Sequence, residues 1–192
     1  MNKQYFFVTG LPRSRTAWLA NWLTYGNSFC FHDGYVGCAS FDDFATKLEQ
    51  TPFEHVGNSD PANMMFIANI SDRFPSTKWI IIDRHAMDSF ESSRKAFGGC
   101  DIRGFYQLVE RREHLLRIAL NSRNHMVVPF GSINDQAPLI SDFLGVDSGG
   151  ELRLSLLKHF QVQIDPKHLT AMIQSAQVRK EHETLLAGTS LN

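Results

Sequence analysis

The sequence predicts an α/β domain of three layers, in which about five parallel strands are flanked by helices. Two observations indicate this fold. Short apolar runs rich in aromatic and β-branched residues alternate along the chain with longer segments that repeat apolar residues at helical spacing. The first of these runs ends in a glycine-containing loop that leads directly into a helix, a junction that suits the binding of anions.

The composition favours one globular domain over residues 1–192, with 43% hydrophobic and 20% charged residues. The formal net charge of -1 disfavours a general nucleic-acid-binding protein, which needs a clear excess of Lys and Arg. No segment approaches the roughly 18 apolar residues that would span a membrane, and the N-terminal apolar run is too short for a signal peptide. We therefore expect a soluble cytoplasmic protein, with its three cysteines as reduced thiols.

The first third of the chain contains three strand signals and two helix signals. Residues 5–9 (YFFVT) and 28–31 are apolar runs of the kind found in buried strands, and residues 54–56 form a shorter run. Between them, residues 16–23 and 41–48 repeat apolar side chains at helical spacing, the second after a serine or aspartate that suits a helix start.

The strongest strand signal is Lys78–Asp83 (KWIIID), because three consecutive isoleucines are typical of a parallel strand buried on both faces. Before this strand, Pro61 favours a helix over residues 61–70, since proline is tolerated in the first turn of a helix. His125–Pro129 (HMVVP) predicts one more strand. The remaining helix signals cover residues 86–97, 102–122, 134–144, 151–159 and 166–179.

A candidate phosphate-binding loop, TGLPRSRT at residues 9–16, lies between the first strand and the first helix. Backbone N–H groups and the positive end of a helix converge at such a junction, which suits phosphate or sulfate. Gly10 permits a tight turn, Arg13 supplies a positive charge, and Ser14 and Thr16 supply hydroxyl groups. The loop lacks the second glycine and the lysine of a Walker A motif, which disfavours a magnesium-dependent kinase.

A second candidate anion-binding motif follows the strand at 78–83. Arg84 stands directly after that strand, Asp88 follows four residues later, and Ser92 eight residues later. Ligands of open α/β sheets bind at the carboxyl ends of strands, and a guanidinium with a hydroxyl would hold a phosphate there. Alternatively, Arg84 only pairs with Asp83 or Asp88.

Together these motifs resemble those of sulfotransferases that use 3′-phosphoadenosine 5′-phosphosulfate. The segment GLPRSRTAWLANWL is similar to the family's 5′-phosphosulfate loop, and the Arg84 to Ser92 spacing is similar to its 3′-phosphate motif. Residues 126–146 resemble a late strand and helix of the family less closely. The resemblance implies a P-loop fold, and it covers most of residues 5–146; Arg15 stands where the family usually has glycine.

The resemblance also implies a reaction and a set of binding residues. The protein would transfer a sulfuryl group from 3′-phosphoadenosine 5′-phosphosulfate to a hydroxyl or amine of a small-molecule or glycan-like acceptor, without a metal. Arg84 and Ser92 would hold the 3′-phosphate. The residues expected around the 5′-phosphosulfate are Gly10, Arg13, Ser14, Arg15, Thr16 and Ala17.

A transfer of this kind needs a base for the acceptor and a cation for the leaving oxygen. Arg13 is our candidate for the cation. His32, at the end of the second strand and next to Asp33, is our candidate for the base, because histidine titrates near neutrality and a carboxylate orients it. Asp33 itself, Asp60 and His85 remain alternatives. Ser59 occupies the place of the catalytic histidine in the family's cytosolic branch and is not a base.

Two other functions stay open at this point. A nucleotide kinase or NTPase on the same fold would need a magnesium-binding acid, for which Asp83 is the candidate. A non-catalytic nucleotide-binding module would keep the loops and lack a working base. The charged run at 110–113 (ERRE) is typical of a solvated helix face.

Overall fold

A computed structural model describes residues 3–158, which contain a five-stranded, fully parallel sheet. The strand order is β2-β3-β1-β4-β5, so the first strand of the chain lies at the centre of the sheet. The strands are β1 (Gln4–Gly10), β2 (Ser28–His32), β3 (His55–Ser59), β4 (Lys78–Asp83) and β5 (His125–Pro129).

Helices connect the strands and cover both faces of the sheet, as the sequence predicts. Two short 3₁₀ helices, Pro61–Phe66 and Phe130–Ser132, complete the described elements. The α-helices are α1 (Thr16–Leu23), α2 (Phe41–Gln50), α3 (Ile67–Arg73), α4 (Ala86–Phe97), α5 (Ile102–Ala119), α6 (Ile133–Leu144) and α7 (Gly150–Lys158).

The alternation of side chains along β1 and β4 builds a core on each face of the sheet. Phe6 and Ile80 belong to the core that includes residues of α1 and α6. Phe7 and Trp79 point the other way, into the core that includes residues of α2 and α3. Since β4 contributes to both cores, its continuous apolar sequence is explained, and the predicted three-layer α/β fold is confirmed.

The register of the sheet determines which residues surround the loop after β1. Val8 of β1 lies opposite Ser59 of β3, and Gly10 lies opposite Ile82 of β4. All five strands are parallel, so their carboxyl ends lie at one edge of the sheet. The loop is therefore flanked by the residues that follow β3 on one side and β4 on the other.

The third strand is longer than its sequence predicts and lies further along the chain. It covers His55–Ser59, whereas apolar character alone indicates 54–56. Glycine, asparagine and serine have low strand propensity, but here they lie between β1 and β2 and pair with both. The ring of Phe6 lies over Gly57, where a Cβ atom would be 2.2 Å from a ring carbon. Tertiary pairing and close packing thus override local propensity.

The segment after β3 also differs from the single helix expected over 61–70. A 3₁₀ helix, Pro61–Phe66, precedes α3. The Asp60 side chain accepts a hydrogen bond from the Ala62 N–H at 2.7 Å, and the Asn63 side chain donates to the Val8 carbonyl at 2.9 Å. These side-chain bonds to the backbone favour a tight turn over a regular α-helix.

Two expectations concern residues beyond those described. The helix signal at 166–179 lies outside the described residues, and the single domain over 1–192 stays a prediction. Within residues 3–158, none of the helices combines the length and apolar character that a bilayer crossing requires. The three cysteines are free thiols, with Cys30 buried.

Candidate functional site

The loop between β1 and α1 leads into a helix whose start carries no side-chain cap from the described residues. Arg13 and Arg15 both have left-handed backbone conformations, with φ of 67° and 59°. Arg15 precedes the first turn of α1, where, among the described residues, no side chain caps the helix and no acidic side chain lies in the first turn. The positive end of α1 is therefore available to an anion.

Gly10 is required by close packing rather than by a turn. It is the last residue of β1 and is not among the residues with positive φ, so the expected role in a tight turn is wrong. A Cβ atom here would lie 2.9 Å from the carbonyl oxygen of Ile82 in β4. The turn itself is made by the two left-handed arginines, at a conformational cost of about 1 kcal/mol each.

The Ser14 hydroxyl is the clearest sign of an anion-binding site in the loop. The Ser14 side chain is fully buried, and its hydroxyl has no hydrogen-bond partner among the described residues. A buried hydroxyl without a partner is unfavourable. Because it lies in the middle of the loop, beside the free end of α1, an oxyanion bound in the loop would satisfy it.

The two arginines of the loop lie in different surroundings. The Arg13 side chain is exposed. The Arg15 guanidinium lies over the Trp18 ring, 4.7 Å from its centroid, and burial lowers the pKa of Arg15. Thr16 is buried and Ala17 is half-buried at the start of α1. The residues expected around the 5′-phosphosulfate thus run from the last residue of β1 through the loop to the start of α1.

Arg84, directly after β4, contacts the backbone of the loop. Its guanidinium donates hydrogen bonds to the carbonyl oxygen of Arg13 and, at 3.3 Å, to that of Asp88. It also lies 4.2 Å from the centroid of the Phe130 ring. Burial lowers the pKa of Arg84, and the nearby Asp88 carboxylate opposes that shift. The Arg84 Nε is buried and has no partner among residues 3–158.

Helix α4 supplies further contacts to the loop. The Ser89 hydroxyl is fully buried and donates to the Pro12 carbonyl oxygen at 2.5 Å, a contact that the sequence analysis missed. Ser92 lies on the same helix and is half-buried. In the described part of the chain no hydrogen bond joins Arg84 and Ser92, so their joint role in holding a phosphate stays a prediction. The sequence offers one signal for the contact made by Ser89, namely its position one helical turn before Ser92.

His32 lies beside the loop at the end of β2. Its Nε2 is 3.5 Å from the Thr16 hydroxyl, and its Nδ1 is 3.2 Å from a carboxylate oxygen of Asp33. About a third of its side chain is accessible, 35%. Lys47 donates to the Gly34 carbonyl oxygen at 2.9 Å and so fixes the turn that follows. The imidazole is thus oriented on one side, accessible, and next to the anion-binding loop.

Ser59 and two alternative candidate bases, Asp60 and His85, occupy three different environments. Ser59 is fully buried, and its hydroxyl donates to the Thr16 carbonyl oxygen at 2.7 Å, so it supports α1. Asp60 is buried next to the loop, and burial raises the pKa of its carboxyl to about 6. His85 is largely exposed, with its Nδ1 3.9 Å from an Asp88 carboxylate oxygen.

Asp83 does not pair with Arg84, one of the alternatives raised above. Its carboxylate lies 3.4 Å from Nη1 of Arg112 on α5. Arg112 is only 7% exposed, so the expectation of a solvated helix face over 110–113 is wrong at this position. The reason is helical spacing, because Arg112 lies three residues before the buried Leu115 and seven after the buried Phe105.

Comparison with known proteins shows the fold class of this chain. No protein-family model matches this chain, and no curated protein matches it. Solved structures do match: a sulfotransferase from Alicyclobacillus acidocaldarius has a TM-score of 0.58 at 14% identity, covering 91% of this chain and 93% of that one. The chain therefore has a P-loop α/β fold of the sulfotransferase kind.

Two further solved structures give the same result. A mouse sulfotransferase complexed with PAP has a TM-score of 0.56 at 15% identity, covering 80% of this chain. The chain spans 63% of that enzyme's length. The sulfotransferase domain of the curacin biosynthetic pathway has a TM-score of 0.55 at 14% identity, covering 85% of this chain and 79% of that one. At these identities the likeness concerns the fold.

Proposed function

We propose that this protein is a sulfotransferase that moves a sulfuryl group from 3′-phosphoadenosine 5′-phosphosulfate to a hydroxyl or amine. The observation that carries the proposal is the loop after β1, where the buried Ser14 hydroxyl has no partner within residues 3–158 and lies at a start of α1 that no side chain of those residues caps. Arg84, which follows β4, contacts the same loop, and its buried Nε has no partner in the described part of the chain. These unsatisfied donors fit a ligand with more than one anionic group.

The residues of the site divide between the two ends of such a nucleotide. The 3′-phosphate would be held by Arg84 and Ser92. The residues that would hold the 5′-phosphosulfate are Gly10, Arg13, Ser14, Arg15, Thr16 and Ala17. When bound, the co-substrate supplies a sulfuryl group attached to a phosphate that can leave, and no metal is needed for that chemistry.

The protein's own groups have separable tasks in the transfer. His32 accepts the proton of the acceptor hydroxyl or amine, while Asp33 holds the imidazole by its Nδ1. Arg13, exposed at the loop, provides positive charge for the oxygen from which the sulfuryl group departs. The acceptor would be a small molecule or a glycan-like compound, and we expect the protein to act in the cytoplasm.

The kinase alternative is less well supported for two reasons. The loop has arginine where a Walker A motif has lysine. Asp83, the candidate magnesium-binding acid, faces the buried Arg112 guanidinium instead. The non-catalytic module is opposed by the His32–Asp33 pair beside Thr16, which keeps an oriented and accessible imidazole at the loop.

The first test is the binding of 3′-phosphoadenosine 5′-phosphate, measured by thermal shift and compared with ADP and with ATP plus magnesium. We expect stabilisation selective for the 3′-phosphorylated nucleotide in the wild type, because only that ligand carries a phosphate for Arg84. The selectivity should be lost in Arg84→Ala. Stabilisation by a ligand at 100 times its dissociation constant is about 2.7 kcal/mol, which a thermal shift resolves.

Arg123→Ala is the matched control, because it removes an exposed arginine that precedes β5 and thus lies at the opposite edge of the sheet. This variant should bind like the wild type. A preference for ATP with magnesium would favour the kinase alternative. The absence of any shift with 3′-phosphoadenosine 5′-phosphate would overturn the proposal.

A further inference from the structure

The most buried guanidinium of the described site belongs to a residue that does not face the loop. Arg112 on α5 is 7% exposed. Its Nη1 donates to the backbone carbonyl oxygen of Arg84, and its Nη2 donates to a carboxylate oxygen of Glu113 at 2.5 Å. The Asp83 carboxylate, 3.4 Å from Nη1, adds a second negative charge. A buried arginine with this many partners has a defined position.

The contacts of Arg112 continue into the loop through Arg84. Arg112 holds the backbone of Arg84 at the carboxyl end of β4, and the side chain of Arg84 donates to the carbonyl oxygen of Arg13. One continuous path therefore runs from α5 through a single backbone unit to the loop. The two arginines act on different atoms, since Arg112 contacts the main chain of Arg84 and the side chain of Arg84 contacts the main chain of the loop.

We propose that Arg112 is a positioning residue, which sets the place of the Arg84 guanidinium and thereby the shape of the anion-binding loop. The inference rests on the proposed function only in taking 3′-phosphoadenosine 5′-phosphate as the probe. Arginine is needed because its planar fork donates to the Arg84 carbonyl and to Glu113 at the same time. Lysine has a compact charge on a flexible side chain, so it would bind one of these two acceptors and would hold it less firmly than arginine does.

The first experiment needs no ligand. Hydrogen exchange is measured by mass spectrometry on the full chain for the wild type, Arg112→Met, Arg112→Lys, Arg84→Met and the control Arg111→Met. Arg111 is the neighbouring residue, is exposed, and among the described residues donates to one acceptor, the Met64 carbonyl oxygen at 3.3 Å. We expect faster exchange in the peptides that cover residues 10–17 and 84–89 for both Arg112 variants, and no such change for Arg111→Met.

The second experiment is a double-mutant cycle on the dissociation constant of 3′-phosphoadenosine 5′-phosphate. We expect Arg112→Met to weaken binding about tenfold in the wild-type background and less than about threefold in the Arg84→Met background, because the two residues act in series. Arg112→Lys should fall between Arg112→Met and the wild type. It also carries the test if Arg112→Met does not fold.

Each outcome bears on the inference. Exchange that rises uniformly over the whole chain would mean that Arg112 contributes only to general stability and would overturn it. Equal loss of affinity in both backgrounds would also overturn it, since the effect would not pass through Arg84. If the wild type does not bind the nucleotide, the proposed function fails, and the exchange pattern alone then decides the role of Arg112.

Discussion

Asp60 offers a sharp test of the electrostatics at the edge of the sheet. Its carboxyl group is 7% exposed beside the loop, and burial raises its pKa from 3.8 to about 6. The nearby Asp33 carboxylate acts in the same direction, while the hydrogen bond from the Ala62 N–H opposes it. The perturbation is Asp60→Asn, which removes the charge and keeps an oxygen that can accept that hydrogen bond.

The direction and size of the effect follow from the linkage between proton binding and folding. Between pH of about 4 and 6 the folded protein binds more protons at Asp60 than the unfolded chain, so its stability falls as the pH rises through this window and levels off above it. A shift of about two pKa units corresponds to about 3 kcal/mol. Asp60→Asn should therefore gain about 2 kcal/mol more at pH 8 than at pH 4.5, relative to the wild type.

The assay is urea denaturation of the wild type and variant at both pH values, with the free energy of unfolding taken as a difference between the two proteins. Asp101→Asn is the control, because Asp101 also accepts one backbone N–H, that of Arg103 at 3.0 Å, but lies exposed at the start of α5. The reasoning would be refuted by a variant whose stability difference from the wild type is the same at pH 4.5 and pH 8, since folding would then not raise the pKa of Asp60.

Two further predictions concern catalysis and packing. His32→Gln should lower sulfuryl transfer, followed as release of 3′-phosphoadenosine 5′-phosphate, by about 10²- to 10⁴-fold with unchanged nucleotide affinity, because the base is lost and the loop is kept; unaltered turnover would exclude His32 as the base. Gly57→Ala should lower the free energy of unfolding by about 2 kcal/mol, since the new Cβ would meet the Phe6 ring. Gly131→Ala, where the added Cβ has no atom of the described residues within 4 Å, should change it little in the same denaturation experiment, and equal effects of the two variants would contradict this account.

The sequence predicts the elements that local physical chemistry determines. Lys78–Asp83 is predicted with its observed bounds because apolar burial on both faces leaves a continuous signal in the sequence. β3 is only partly predicted, since Gly57 is placed in a strand by its neighbours and not by its own propensity. Local signals identify strands best where the residues themselves, rather than their partners, favour the extended conformation.

The candidate site follows the same division. The loop and the residues after β2 and β4 are predicted to lie at one sheet edge, because parallel strands end together, and they do. The contact between His32 and Thr16 and the hydrogen bond from Arg84 to Arg13 depend on side-chain conformations that no sequence pattern specifies. The burial of Arg112 could have been predicted, because its helical spacing from Phe105 and Leu115 places it on the inward face of α5. Its charge, however, favoured a solvent-exposed position.

The central position of β1 has a consequence for how the protein folds during its synthesis. The loop is synthesised before both of its flanks, β3 and β4, which leave the ribosome later. Contacts between such distant parts of a chain form slowly, because a long loop must close first. A nascent chain thus carries the anion-binding sequence long before it has an anion-binding site, and nucleotide capture would report the assembled sheet rather than the presence of the loop.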